Sequence, residues 1–178
     1  MKPFIKSLVP AAAFVAGAFM LVGCGAEDAS VAGSAPEGIL LRDAPADAPG
    51  LLEALETTPA DAPLVFSARV GGTVHPLSRD FAVFLVADES LVFCDEEPGD
   101  SCGTPWDACC EDPAKIAHSR ALVQFVNEAG DPLMLDLATT IGLAANDTVI
   151  VRGRLAPDDG SGNRLILAEG IALAPDPS

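Results

Sequence analysis

"DTVIVRGRLAPDDGSGNRLILAEGIAL", residues 147–173, reads as two strands folded back on one another. The first part, 147–156, is rich in Val and Ile, the branched residues that pack well on a pleated surface. "PDDGSGN" (157–163) interrupts it and supplies a turn, because its glycines can take positive φ. "RLILAEGIAL" (164–173) is then the last strand. Working outward, "LVFSARVGG" (64–72) alternates: Leu64, Phe66, Ala68 and Val70 fall on one side and Ser67 and Arg69 on the other. That is a half-buried strand ending in a Gly-Gly turn. "FAVFLVAD" (81–88) is apolar on both faces, which marks a more deeply buried strand. "SRALVQFVNEAGDPLMLDL" (119–137) reads as a strand, a turn near Glu128 to Pro132, and a second short strand. The sum is five or six strands with almost no helix, an all-β domain over 63–174 with the form of a small barrel or sandwich.

The order of these pieces resembles an OB-fold. A strand ending in "ARVGG" is followed by an apolar "VFLVAD", a long insertion, "TVIVRGRL" and a final hairpin strand. In that five-stranded Greek-key barrel a short helix lies between strands three and four, where this chain has "LATTIGLAAND" (137–147). The resemblance implies a ligand face on strands two and three with their flanking loops. An immunoglobulin-like sandwich is the alternative architecture.

The chain has 178 residues, room for one ordinary domain, and a net charge of −16. Its N-terminus is set apart from the fold. Lys2 and Lys6 precede an apolar run, Leu8 to Val22, which is shorter than the roughly 20 residues a spanning helix needs. "LVGC" (21–24) resembles the bacterial lipobox. That resemblance implies a signal peptide over 1–23, removed on export, and acyl chains on Cys24 that anchor the mature chain to a membrane. Gly25 stands where the family's inner-membrane retention signal has Asp, which favours the outer membrane, facing the periplasm, in a Gram-negative host. Residues 24–62, rich in Ala, Pro and Asp, read as a lipidated N-terminus and flexible tether in which "LLEALE" (51–56) makes a turn or two of helix; 175–178 is a short tail. Cleavage leaves 8 basic against 26 acidic residues, a charge of −18. Lipid, not basic side chains, must therefore hold it to the membrane.

The segment between strands, "CDEEPGDSCGTPWDACCED" (94–112), spaces its cysteines C-x7-C-x6-C-C: Cys94, Cys102, Cys109 and Cys110. It contains no C-x2–4-C knuckle of the kind that structural zinc sites use, and no C-x-x-C redox pair. Outside the cytoplasm thiols tend to oxidise, so two disulfides are expected. A direct bridge between neighbours Cys109 and Cys110 would be strained, which leaves each of them to pair with Cys94 or Cys102. Each bridge would contribute about 3 kcal/mol on the chain-entropy model. Trp106 is expected to cover the disulfides or plug one end of the barrel. The alternative is an envelope metal site for Cu or Zn, using Cys94, Cys102, Cys109, Cys110 and His118; a redox or sensing role is a third reading. His118 and His75 otherwise read as ordinary loop and edge residues. "TPWDACCE" (104–111) is similar to a segment of small, uncharacterised exported bacterial proteins and implies a shared loop without an activity.

No G-x-S-x-G, H-E-x-x-H or P-loop motif occurs, and two isolated histidines offer little for acid–base work. Catalysis is not expected, and no cofactor is required. Arg69, Arg152 and Arg154 make a candidate binding strip, and Trp106 is a further candidate binding residue. Residues 64–174 still carry 7 basic against 17 acidic side chains, a field that repels nucleic acid. The expected function is a lipid-anchored envelope binding or interaction module with a disulfide-locked acidic loop and an envelope protein as partner.

Overall fold

The computed structural model describes residues 36–59, 62–99, 101–160 and 162–174, all within the compact unit Ala32–Ser178. The signal peptide, Cys24 and the tail 175–178 lie outside the described residues. Five strands form: β1 (Leu64–Val70), β2 (Val83–Ala87), β3 (Arg120–Phe125), β4 (Thr148–Leu155) and β5 (Leu165–Leu173). They close into a barrel in the order β1-β2-β3-β5-β4, with β4 returning to β1. Every neighbouring pair is antiparallel except β3 and β5, whose parallel pairing shuts the barrel. This is the small OB-like Greek-key barrel; the two-sheet sandwich is not formed.

Period-two patterning does the work. β1 buries Leu64, Phe66, Ala68 and Val70 and leaves Val65, Ser67 and Arg69 half-buried, while β3 alternates in the same way. Phe66, Phe84, Val86, Val123, Ile166 and Ile171 meet at the centre of the core. A β-bulge between Arg152 and Gly153 bends β4 against β5. Gly153 makes this possible, since a Cβ there would sit 2.4 Å from the Leu167 carbonyl oxygen.

Three short helices accompany the barrel: α1 (Leu51–Thr57), α2 (Pro113–His118) and α3 (Leu137–Ile141). α3 falls between β3 and β4 as the OB-like pattern expects. Asp136 caps it by accepting from Ala138 N at 2.9 Å, and Gly142 ends it in the left-handed conformation. The second short strand expected before it does not form. After the turn at Gly130 a single bridge, Val126 to Pro132, continues the ladder through Asn127 N to Asp131 O and Leu133 N to Phe125 O; beyond it Ala82 takes the next groups, donating to Leu133 O and accepting from Phe125 N.

The segment assigned to a flexible tether is corrected from residue 39 onward. Ile39, Leu51 and Ala54 are buried in the barrel core, and Leu40 and Gly50 form bridges with Ile171 and Ser67. Apolar side chains at one edge of α1 reach the core, which offsets the marginal stability of so short a helix. No described helix is long and apolar enough to cross a membrane.

Candidate functional site: a three-thiol cluster

The chain between β2 and β3 leaves the barrel and folds on a small core of its own: Ala87, Leu91, Phe93 and Ala108, with Ile116 of α2 against it. The sequence reading gave this loop little to pack with, and Phe93 is the residue it missed. Phe93 is 1 % exposed, and the Arg69 guanidinium lies 4.1 Å from its ring centre. Backbone bonds then fold the excursion on itself. Cys94 N donates to Asp107 O at 2.7 Å and Asp95 N to Pro105 O at 3.2 Å. Asp112 caps α2 through Ala114 N and Lys115 N, with Pro113 in the first turn.

This folding gathers sulfur. The Sγ atoms of Cys94, Cys102 and Cys109 all lie within 4.8 Å of one another. Cys94 and Cys109 are the close pair at 3.5 Å, and Cys102 Sγ lies 3.2 Å from the Thr104 hydroxyl. Cys94 is buried, Cys102 half-buried and Cys109 exposed, so the cluster runs from the loop core to its surface. No disulfide joins the four cysteines of the loop in the structure. Of the pairings expected between Cys94 and Cys102 on one side and Cys109 and Cys110 on the other, Cys94 with Cys109 is the one whose sulfurs lie 3.5 Å apart, without a bond between them. The fold brings Cys109 alone of that pair to the other two, and leaves Cys110 exposed outside the group.

The three thiols differ in acidity. Burial pushes Cys94 up to about 12. The Thr104 hydroxyl, followed by the Thr104 backbone, lowers Cys102. The hydrogen bond with Cys94 pulls Cys109 down, but neighbouring Cys110 and desolvation outweigh it and the net direction is up. Thr104 is a second residue the sequence reading missed; its place two residues after Cys102 was the available signal.

The other candidates lie elsewhere. His118 is no member of the thiol group; its Nδ1 is 3.2 Å from Arg164 Nη2. Trp106 is half-buried. Its Nε1 donates to Val74 O at 3.1 Å, and its carbonyl accepts from Gly72 N at 2.8 Å, so it lies along the turn after β1. Gly71 permits that approach: a Cβ there would stand 2.4 Å from the Trp106 carbonyl oxygen. The arginine strip is dispersed. Arg69 bonds Asp95, Glu96 (2.7 Å) and Asn146 (2.6 Å), which ties the cysteine loop to the barrel. Arg154 pairs with Glu169 at 2.8 Å, and Arg152 sits opposite Val65, four positions along β1 from Arg69.

Compared with known protein families, curated proteins and solved structures, the chain matches none. The geometry of its own residues carries the functional argument.

Proposed function

We propose that this chain is a lipid-anchored envelope binding module whose ligand is a soft metal ion, Cu(I) or Zn(II), taken by Cys94, Cys102 and Cys109. The observation that carries the reading is the convergence of three sulfurs within 4.8 Å. An ion about 2.3 Å from each sulfur holds them about 3.8 Å apart, a spacing close to the 3.5 Å between Cys94 and Cys109. Three thiolates suit Cu(I) as a trigonal set, and Zn(II) would add a fourth ligand, water or the neighbouring Cys110. Four carboxylates of the loop are otherwise occupied: Asp95 and Glu96 bind Arg69, Glu111 binds Lys115, and Asp112 caps α2. A hard cation such as Ca(II) finds no comparable oxygen set among them.

A second reading rests on the same close pair. Oxidation of Cys94 and Cys109, favoured outside the cytoplasm, would join them and leave a rigid loop that serves as a platform for an envelope protein. Native intact mass of the full chain, extracted from membranes in mild detergent, separates the two. The metal reading expects a chain that begins at an acylated Cys24 and carries one zinc or copper ion, lost in each of the variants Cys94→Ser, Cys102→Ser and Cys109→Ser. A metal-free protein lighter by two hydrogens per bridge would overturn it in favour of the locked platform.

A further inference from the structure

A groove apart from the thiols opens between the β4–β5 turn, the end of α2 and the outer face of β3. One part is a cavity of about 420 Å³, lined by Leu155, Ala156 and Leu165 together with His118 and Asp158. The adjoining part, about 280 Å³, is lined by Leu85, Leu122, Arg120 and Arg164 and by no carboxylate. The two share Ala117, Asn163 and Arg164 and so form one elongated recess, of a size that small-molecule sites use.

Its charge runs against the rest of the molecule. In a chain with 26 acidic and 10 basic residues, Arg69, Lys115 and Arg154 all face carboxylates. Arg120 and Arg164 make no ion pair among the described residues. Arg120 Nη1 donates to Gly72 O at 2.9 Å, and Arg164 holds the His118 carbonyl oxygen and ring. Arg120 Nε is buried without a partner, a state that costs about 1–3 kcal/mol when nothing compensates it. Two guanidiniums held by backbone oxygens make the smaller part of the recess cationic. The larger part offers Leu155, Ala156 and Leu165 as its apolar wall, and Asp158 in the same lining disfavours a second negative charge there.

We propose that this groove binds a small organic monoanion, a carboxylate on an apolar chain, with its head at Arg120 and Arg164 and its tail against Leu155 and Leu165. The guanidinium fork matches a carboxylate. A singly charged head also meets less repulsion from the surrounding acidic field than a phosphate dianion would. The site is independent of the thiol cluster.

The test is amide NMR of the full chain titrated with hexanoate, with hexanol and acetate as controls. Hexanoate should shift the amides of Leu122, Arg164 and Leu165 saturably, at millimolar concentration or below. Arg164→Gln and Arg120→Gln should each weaken binding at least tenfold, and Leu155→Glu, a change at an exposed position, should weaken it as much from the other end. Hexanol binding as well as hexanoate, acetate binding as well as hexanoate, or hexanoate affinity unchanged in all three variants would each overturn the assignment.

Discussion

Asp88 shows how one side chain can fix an element that has no means of its own to begin. α1 starts after Gly50, which offers no side-chain cap. Asp88, 36 residues away and 8 % exposed, supplies the acceptor: its Oδ2 takes Leu52 N at 2.9 Å and its Oδ1 takes Ser90 N at 3.0 Å. Burial alone would raise this carboxyl, but the bonds from Leu52 and Ser90 outweigh it and the net direction is down. A lowered folded-state pKa means that Asp88 binds its proton more readily in the unfolded chain. Its stabilising effect is complete above the unfolded value, about 3.9, and is lost as pH falls below that through the folded value. Asp88→Ala should therefore destabilise the domain by about 1–3 kcal/mol at pH 7. The difference from wild type should shrink as pH falls below about 4. Urea unfolding at both pH values measures it, and a gap that stays constant with pH would refute the charged cap.

At the scale of an element, the cysteine excursion is a separately packed unit held to the barrel by Arg69. That guanidinium bonds Asp95 and Glu96, lies over Phe93 and reaches Asn146, whose own amide returns to Asp95 at 3.1 Å. Arg69→Met keeps the stem and removes the charge. We expect a loss of about 1–2 kcal/mol, limited by the partial exposure of the two carboxylates. Amide exchange should quicken at Cys94 and Asp95 while Val149 and Val151 in β4 stay protected. Equal loss of protection in both places would show that loop and barrel open as one. This element also marks where the sequence became hard to read. The strands were legible because Leu64, Phe66, Ala68 and Val70 repeat at period two. Leu91, Phe93 and Ala108 follow no period, and their contact with Ile116 depends on a chain reversal set by backbone bonds. The four cysteines were visible at once, but their spacing does not say which three sulfurs converge. That depends on the bonds joining Cys94 to Asp107 and Asp95 to Pro105.

For the whole molecule, the decisive question is where the folded body begins. Prolines and aspartates between Arg42 and Gly50 suppress any periodic signal, so isolated apolar residues on either side of that stretch read as linker. In the structure Ile39 is 3 % exposed, Leu51 0 % and Ala54 1 %, all in the barrel core. Backbone bonds tie the chain there, with Leu41 N bonded to Ile171 O at 2.8 Å and Ser67 N to Pro49 O at 2.8 Å. Burying two large aliphatic side chains contributes about 3–6 kcal/mol, comparable with the entire stability of many domains, about 5–15 kcal/mol. Deleting this stretch would also strand the Asp88 carboxylate without Leu52. A fragment of residues 36–174 should therefore unfold cooperatively in urea, whereas 63–174 should unfold at far lower denaturant or aggregate through the exposed surfaces of Phe66 and Ile171. If the shorter fragment matched the longer one in midpoint and slope, the packed segment would be an accessory to the barrel. The fold would then begin at Leu64.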